Sequence, residues 1–106
     1  MGSDRTALLR RIEQALRAAH GDRMRGVVMF GSEANGTAEV DSDVDVLVLL
    51  EGPIRYAADL LANLTALEGL SRELERRISP KPIDADSFTS DDSPLVRSAR
   101  EEGLRL

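Results

Sequence analysis

Eight consecutive residues, Asp43 to Leu50, read Asp-Val-Asp-Val-Leu-Val-Leu-Leu, and no other stretch limits the fold so tightly. An aliphatic, β-branched run of this length, ended by Glu51-Gly52-Pro53, is a strand. Alternation sends Val44, Val46, Val48 and Leu50 to one side and Asp43, Asp45, Leu47 and Leu49 to the other. Aspartate is disfavoured in strands, yet two of them open this one. Either the strand has a plain polar start at a sheet edge, or the pair has a chemical use. Carboxylates two residues apart share a face at ~6.5–7 Å along the strand. They repel each other and are costly to half-bury unless a cation sits between them. Oxygen-only ligands suit Mg²⁺, which takes one or two carboxylates and fills its shell with water and substrate phosphates.

Elsewhere the pattern switches between helical and extended periods. Leu8, Ile12, Ala15 and Leu16 recur at helical spacing between about Asp4 and Ala19, and Gly21 is placed to stop that helix. Gly26-Val27-Val28-Met29-Phe30 reads as a short buried strand. The polar stretch from Gly31 to Ser42 reads as a loop. A long helix is expected from about Ile54 to Arg77. Its buried stripe would be Leu60, Leu61, Leu64, Leu67, Leu70 (or Ser71) and Leu74, with Gly69 as a point where it bends or splits. Pro80 and Pro82 are expected to flank a short strand, about Lys81 to Asp86. Pro94 opens a last helix to about Glu102 behind the capping segment Ser90-Asp91-Asp92-Ser93, and Gly103 closes it. The order α-β-β-α-β-α predicts an α/β fold (α+β by stricter convention), a small mixed sheet with helices packed on it.

The chain of 106 residues is read as one domain, 1–106. With two Phe, one Tyr and no Trp, the core must be aliphatic, and no aromatic platform exists for stacking single-stranded nucleic acid. A net charge of −5 gives no counterion-release attraction to a polynucleotide. Nucleic acid is therefore not expected as a partner, and a small phosphorylated molecule or a basic protein fits better. Without cysteine there is neither a disulfide framework nor a thiolate metal site. The apolar runs fall short of the ~20 residues a membrane helix needs. The stretch Met1 to Arg11 is charged, with no apolar signal core. No membrane association is expected, and the location is read as cytoplasmic. So small a domain has little protein from which to enclose a pocket, which invites a partner chain or a second copy to supply a wall.

Gly31-Ser32 follows the first strand directly. Glycine permits close backbone approach, and the pair can offer N–H groups and a hydroxyl to phosphate; taken alone it reads as an ordinary turn. The combination says more: Gly31-Ser32, ten residues, then Asp43-Val44-Asp45 places a phosphate loop and a metal pair at the ends of two strands of about equal length. This arrangement resembles the signature of the polymerase-beta-type nucleotidyltransferases, and the short chain resembles their minimal (MNT) branch. The likeness runs over nearly the whole length, to Arg100-Glu101-Glu102-Gly103-Leu104. What the resemblance implies is a nucleotidyltransferase palm in which Gly31 and Ser32 hold the triphosphate of ATP. Asp43 and Asp45 would bind magnesium, with a third acidic residue from the later strand completing a two-metal site. The family pattern puts that acid just after an apolar residue near the strand's start, which favours Asp84 in Pro82-Ile83-Asp84-Ala85-Asp86, with Asp86 as runner-up. Such a group serves as general base for the attacking hydroxyl or completes the second metal site. Two metals ~3.5–4 Å apart stabilise both attacking and leaving oxygens at the α-phosphate. The implied catalytic set is Asp43, Asp45 and Asp84.

The chain also departs from that pattern. Family members carry Gly-Ser-Arg-x-Arg-Gly in the loop; here it reads Gly31-Ser32-Glu33-Ala34-Asn35-Gly36. Both arginines are gone, and Glu33 would repel a triphosphate that the lost cations would stabilise. Arg5, Arg10, Arg25 or an arginine from a partner are the candidates to compensate. His20, the only histidine, sits at a helix end and reads as a contact to the last carbonyls and the dipole. Arg72, Arg76 and Arg77 form a solvated face, or a dock for an acidic partner or a phosphate.

Resemblance to the MNT branch implies a HEPN-family toxin as partner. The chain would then be an antitoxin that transfers AMP from Mg-ATP to a hydroxyl of the toxin, binds the toxin, or both. Three rivals stand beside this reading. A binding antitoxin that has lost turnover is favoured by the missing loop arginines. A small-molecule adenylyltransferase of the aminoglycoside type needs a second helical domain for its acceptor. An acidic structural module requires the signature spacing to be accidental.

Overall fold

A computed structural model describes residues 2–31 and 43–106. Helix α1 spans Gly2–His20 and is left through Gly21, whose φ of +61° is the left-handed conformation that glycine adopts without penalty. One turn of 3₁₀ helix leads into strand β1, Met24–Phe30. Strand β2 is Val44–Leu50, helix α2 Tyr56–Leu74, strand β3 Ile78–Asp84 and helix α3 Pro94–Glu102. A two-residue strand β4, Leu104–Arg105, was not expected from the sequence. The sheet order is β3-β2-β1-β4. β1 pairs antiparallel with β2 and with β4, whereas β3 runs parallel to β2. This is the mixed sheet with helices that the element order predicts.

The alternation in β2 sorts the core into two layers. Val44, Val46, Val48 and Leu50 pack with Val27, Met29 and Ile78 against Leu9, Ile12 and Leu16 of α1 and Leu67 of α2. On the opposite face Leu47, Leu49 and Val28 pack against Phe88 and against Val96 and Ala99 of α3. A fully buried Val or Leu side chain contributes ~1.5–3 kcal/mol relative to exposure, so β2 anchors both layers. The Ser93 hydroxyl caps α3 by accepting from Val96 N, and Pro94 occupies its first turn. Among the described residues no helix is long and apolar enough to cross a membrane.

Three expectations about the second half need correction. Helix α2 stops at Leu74 because Glu75 takes a left-handed φ of 54°. The N–H groups of Glu75 and Arg76 then turn back to the carbonyls of Arg72 and Ser71. Gly69 does not split the helix, which runs unbroken from Tyr56 to Leu74; a side chain there would meet open space. Of the expected leucine stripe Leu67 is buried and Leu70 packs against the core, but Leu61 is 65% and Leu64 45% exposed, and Asp59 and Asn63 complete the buried line.

Polar groups can be buried there because each is paired. The Asp59 carboxylate accepts two bonds from the Arg23 guanidinium, at 2.9 and 3.1 Å, and one from Arg55 N at 3.0 Å. Asn63 donates to the Pro80 carbonyl at 3.1 Å, and its amide oxygen lies 2.6 Å from His20 Nε2. These links tie the end of α1, the start of α2 and β3 together.

The third correction concerns β3, which begins at Ile78 and passes through Pro80 and Pro82 rather than between them. A proline cannot donate to a ladder, but β3 is an edge strand, where a missing N–H is tolerated. The Pro80 carbonyl correspondingly serves Asn63 and not the sheet.

Candidate functional site

The face of the sheet that carries Leu47 and Leu49 is covered by α3 over its middle, and Asp43 and Asp45 extend β2 beyond that cover. Phe30, the last residue of β1, pairs with Asp45. The next residue, Gly31, turns away with a φ of +74°. A Cβ at Gly31 would lie 3.1 Å from Asp45 Oδ2, so the turn lies against the carboxylate, which a side chain there would push aside. Glycine is required twice here, for the backbone conformation and for the close approach. Gly31 is thus in contact with Asp45, the half-buried member of the predicted pair. Ser32, Glu33, Asn35 and the remainder of the loop to Ser42 lie outside the described residues.

Asp43 is exposed and Asp45 half-buried. Burial raises the proton affinity of the Asp45 carboxyl above its ordinary value, the neighbouring charge of Asp43 raises it further, and Lys81 opposes both. A half-buried carboxylate facing a second one is electrostatically unsatisfied. The donor set of two carboxylates and the cradle beneath Gly31 fit one hard divalent cation, whose remaining positions would go to water and phosphate oxygens. Binding a cation would relieve both causes of the upward shift.

Asp84 does not join the pair. In the parallel register Asp45 lies opposite Ser79 and Asp84 lies opposite Leu50, five residues further along, which is ~17 Å at strand rise. It also alternates onto the other face of the sheet. Its carboxylate accepts from Asp86 N at 2.9 Å and caps the 3₁₀ turn Ala85–Ser87. It packs so closely on Gly52 that a Cβ there would sit 2.2 Å from Asp84 Oδ2. Asp86 lies beyond it, in that same turn. The expected three-carboxylate cluster is therefore not formed by Asp84 or Asp86, and no group of three metal-binding side chains occurs among the described residues. The physical reason is the early start of β3: a strand beginning at Ile78 puts Asp84 at its far end.

What β3 does present to the pair is Ser79, opposite Asp45, and Lys81, opposite Leu47 on the same face. Lys81 was not singled out from the sequence. The signal was available in principle, since alternation counted from Ile78 puts Ser79, Lys81 and Ile83 on the aspartate face. Several of the basic residues singled out from the sequence, Arg25 for the loop and Arg72 and His20 for other roles, have partners. Arg25 is paired with Glu51 at 2.9 Å, at the opposite end of β2. Arg72 pairs with Glu68 at 2.7 Å. His20 is engaged with Asn63 rather than with the site.

Comparison with known proteins shows the family and the fold. Residues 9–103 match the model of the nucleotidyltransferase domain family. Among solved structures, the chain is similar to a toxin–antitoxin crystallised with AMP-PNP, at 20% identity and a TM-score of 0.61, covering 88% of this chain and 70% of that one. It is also similar to two mutant MntA–HpeT toxin–antitoxin structures. One, a tyrosine-to-alanine mutant, gives 22% identity and a TM-score of 0.65 over 92% of this chain and 69% of that one. The other carries two aspartate-to-glutamate replacements and gives 19% identity and 0.66 over 91% and 69%. No curated protein matches the chain.

Proposed function

The chain belongs to the nucleotidyltransferase domain family, and from that membership we propose that it transfers AMP from Mg-ATP to a hydroxyl of a partner protein, as the antitoxin of a toxin–antitoxin pair. The observation that carries this reading is the Gly31 turn lying against the Asp45 carboxylate. It supports reading Gly31 as the start of a phosphate loop and Asp43 and Asp45 as a cation-binding pair at one end of the sheet. The structural neighbours are toxin–antitoxin assemblies, one with an ATP analogue. Another has two aspartates replaced two residues apart, the spacing of Asp43 and Asp45. A HEPN-family toxin is the partner inferred from the MNT-like organisation, in a cytoplasmic setting.

Asp43 and Asp45 would hold magnesium, which when bound supplies positive charge to the phosphate oxygens of the nucleotide. Gly31 opens the backbone toward those phosphates, and Ser32 follows it in the chain. The acceptor oxygen bonds to the α-phosphorus, the bond from that phosphorus to the bridging oxygen of the β-phosphate breaks, and pyrophosphate leaves. The acceptor's proton passes to water. Asp84, placed by its register away from the pair, has no part in this account.

That displacement also supports a second reading, a binding antitoxin that keeps the fold without turnover. Labelling decides between them. With Mg²⁺, α-³²P-ATP should label the co-purified partner and γ-³²P-ATP should not, and Asp45→Asn should abolish the label. An unlabelled partner that is nevertheless held tightly selects the second reading.

A further inference from the structure

We propose that Lys81 is the cationic nucleotide-binding residue of this site, reaching phosphate oxygens from β3 at the position where a two-metal centre would require its third carboxylate. The inference rests on the nucleotidyltransferase reading and extends it to how the triphosphate's charge is met when the loop has lost its arginines.

The register makes the argument. β2 and β3 are parallel, so a group on β3 that shares a ligand with Asp45 must come from its own rung or the adjacent one on the same face. Within β3 those positions hold Ser79 and Lys81; one rung earlier, before the strand begins, stands Arg77, whose carbonyl accepts from Val44 N at 2.8 Å. None of the three can supply a carboxylate to a second metal, and Lys81 brings the opposite charge. It stands opposite Leu47, on the same face as Asp45 and two residues along the strand from the residue opposite Asp45. Lys81 is also exposed, and no ion pair within 4 Å engages it among the described residues. Arg77 and Lys81 both border a groove with Tyr56, Leu60 and Leu64 at the β3 edge, and of the two only Lys81 lies within β3, on the face of Asp45. A lysine beside a carboxylate pair, with a flexible stem and three donors, is suited to a phosphate as a point charge. One divalent cation on Asp43 and Asp45 and one ammonium from Lys81 then share the charge that two metals and loop arginines would otherwise meet.

The test uses the full chain and two titrations, AMP-PNP in the presence of Mg²⁺ by calorimetry and Mn²⁺ alone by its electron paramagnetic resonance signal. Lys81→Ala should weaken AMP-PNP binding about tenfold, and Lys81→Arg should keep it within about threefold of the wild type. Mn²⁺ alone should bind Lys81→Ala at least as tightly as the wild type, because a competing cation beside Asp45 is gone. The melting temperature should not move, since Lys81 is exposed. Nucleotide affinity unchanged in Lys81→Ala, with the wild type binding normally, overturns the inference and leaves the nucleotidyltransferase reading standing. A wild type that binds no Mg·AMP-PNP removes that reading and the inference with it. Equal losses of Mn²⁺ binding, nucleotide binding and melting temperature in Lys81→Ala would mean that the lysine merely supports the fold, and would also overturn the proposal.

Discussion

Replacing Gly31 by alanine probes the site at the point where backbone and chemistry meet. An L-residue held at a φ of +74° costs ~1–2 kcal/mol. For a domain of this size each kcal/mol lowers the melting temperature by ~4–8 °C, so Gly31→Ala should melt roughly 4–16 °C below the wild type. The new methyl would also sit 3.1 Å from Asp45 Oδ2, and the neighbour able to give way is the carboxylate itself. Turning that side chain off its rotamer costs ~0.5–1.5 kcal/mol, which corresponds to about a two- to tenfold loss of divalent-cation affinity. Gly69→Ala is the internal control: it lies within α2, where a methyl meets open space, and should raise stability by ~0.5–1 kcal/mol. Thermal melts by circular dichroism and Mn²⁺ titration read the two effects separately. If Gly31→Ala melts within a degree of the wild type and binds Mn²⁺ equally well, the turn does not press on Asp45 and the site geometry argued above is refuted.

Two further outcomes follow from the charged groups. The Asp45 carboxyl has its proton affinity raised by burial and by Asp43. Its ionised form therefore opposes folding above the raised value, and that opposition fades as pH falls through the ordinary carboxylate range. Asp45→Asn should accordingly stabilise the ligand-free fold at neutral pH and not in acid, as melts across that range would show, while removing the thermal shift given by Mg·AMP-PNP. Asp59 behaves with the opposite sign: the Arg23 guanidinium holds its carboxyl below the ordinary range, so its contribution is present above that range and is lost as pH falls. Asp59→Ala should cost ~1.5–3 kcal/mol in urea unfolding at neutral pH, because Arg23 is half-exposed and retains the carbonyls of Glu51 and Pro53.

The sequence was most legible where one strand or helix carries its own pattern. The alternation of Val44 to Leu50, the Gly21 stop, the Ser93-Pro94 start and the approach of Gly31 to the aspartates all follow from local chemistry. The errors fall where three elements decide together. Leu61 and Leu64 looked like core, but Arg23, His20 and the Pro80 carbonyl satisfy Asp59 and Asn63 and so turn a polar line of α2 inward. Pro80 and Pro82 looked like strand boundaries, because nothing local states that the strand would lie at a sheet edge. The resemblance favoured Asp84, and the late start assigned to β3 left that choice unchecked and Lys81 unnoticed; alternation counted from Ile78 puts the two on opposite faces.

The central claim is that Asp43 and Asp45, under the Gly31 turn, form the cation and nucleotide site of this chain. Its most direct test is a crystal grown with Mn²⁺ and AMP-PNP, measured at a wavelength where manganese scatters anomalously. The account predicts one anomalous peak ligated by Asp43 and Asp45, with phosphate oxygens completing its shell and the Lys81 ammonium against the triphosphate. A peak on Asp84 or Asp86 with none at the pair, or nucleotide bound elsewhere on the chain, would contradict it.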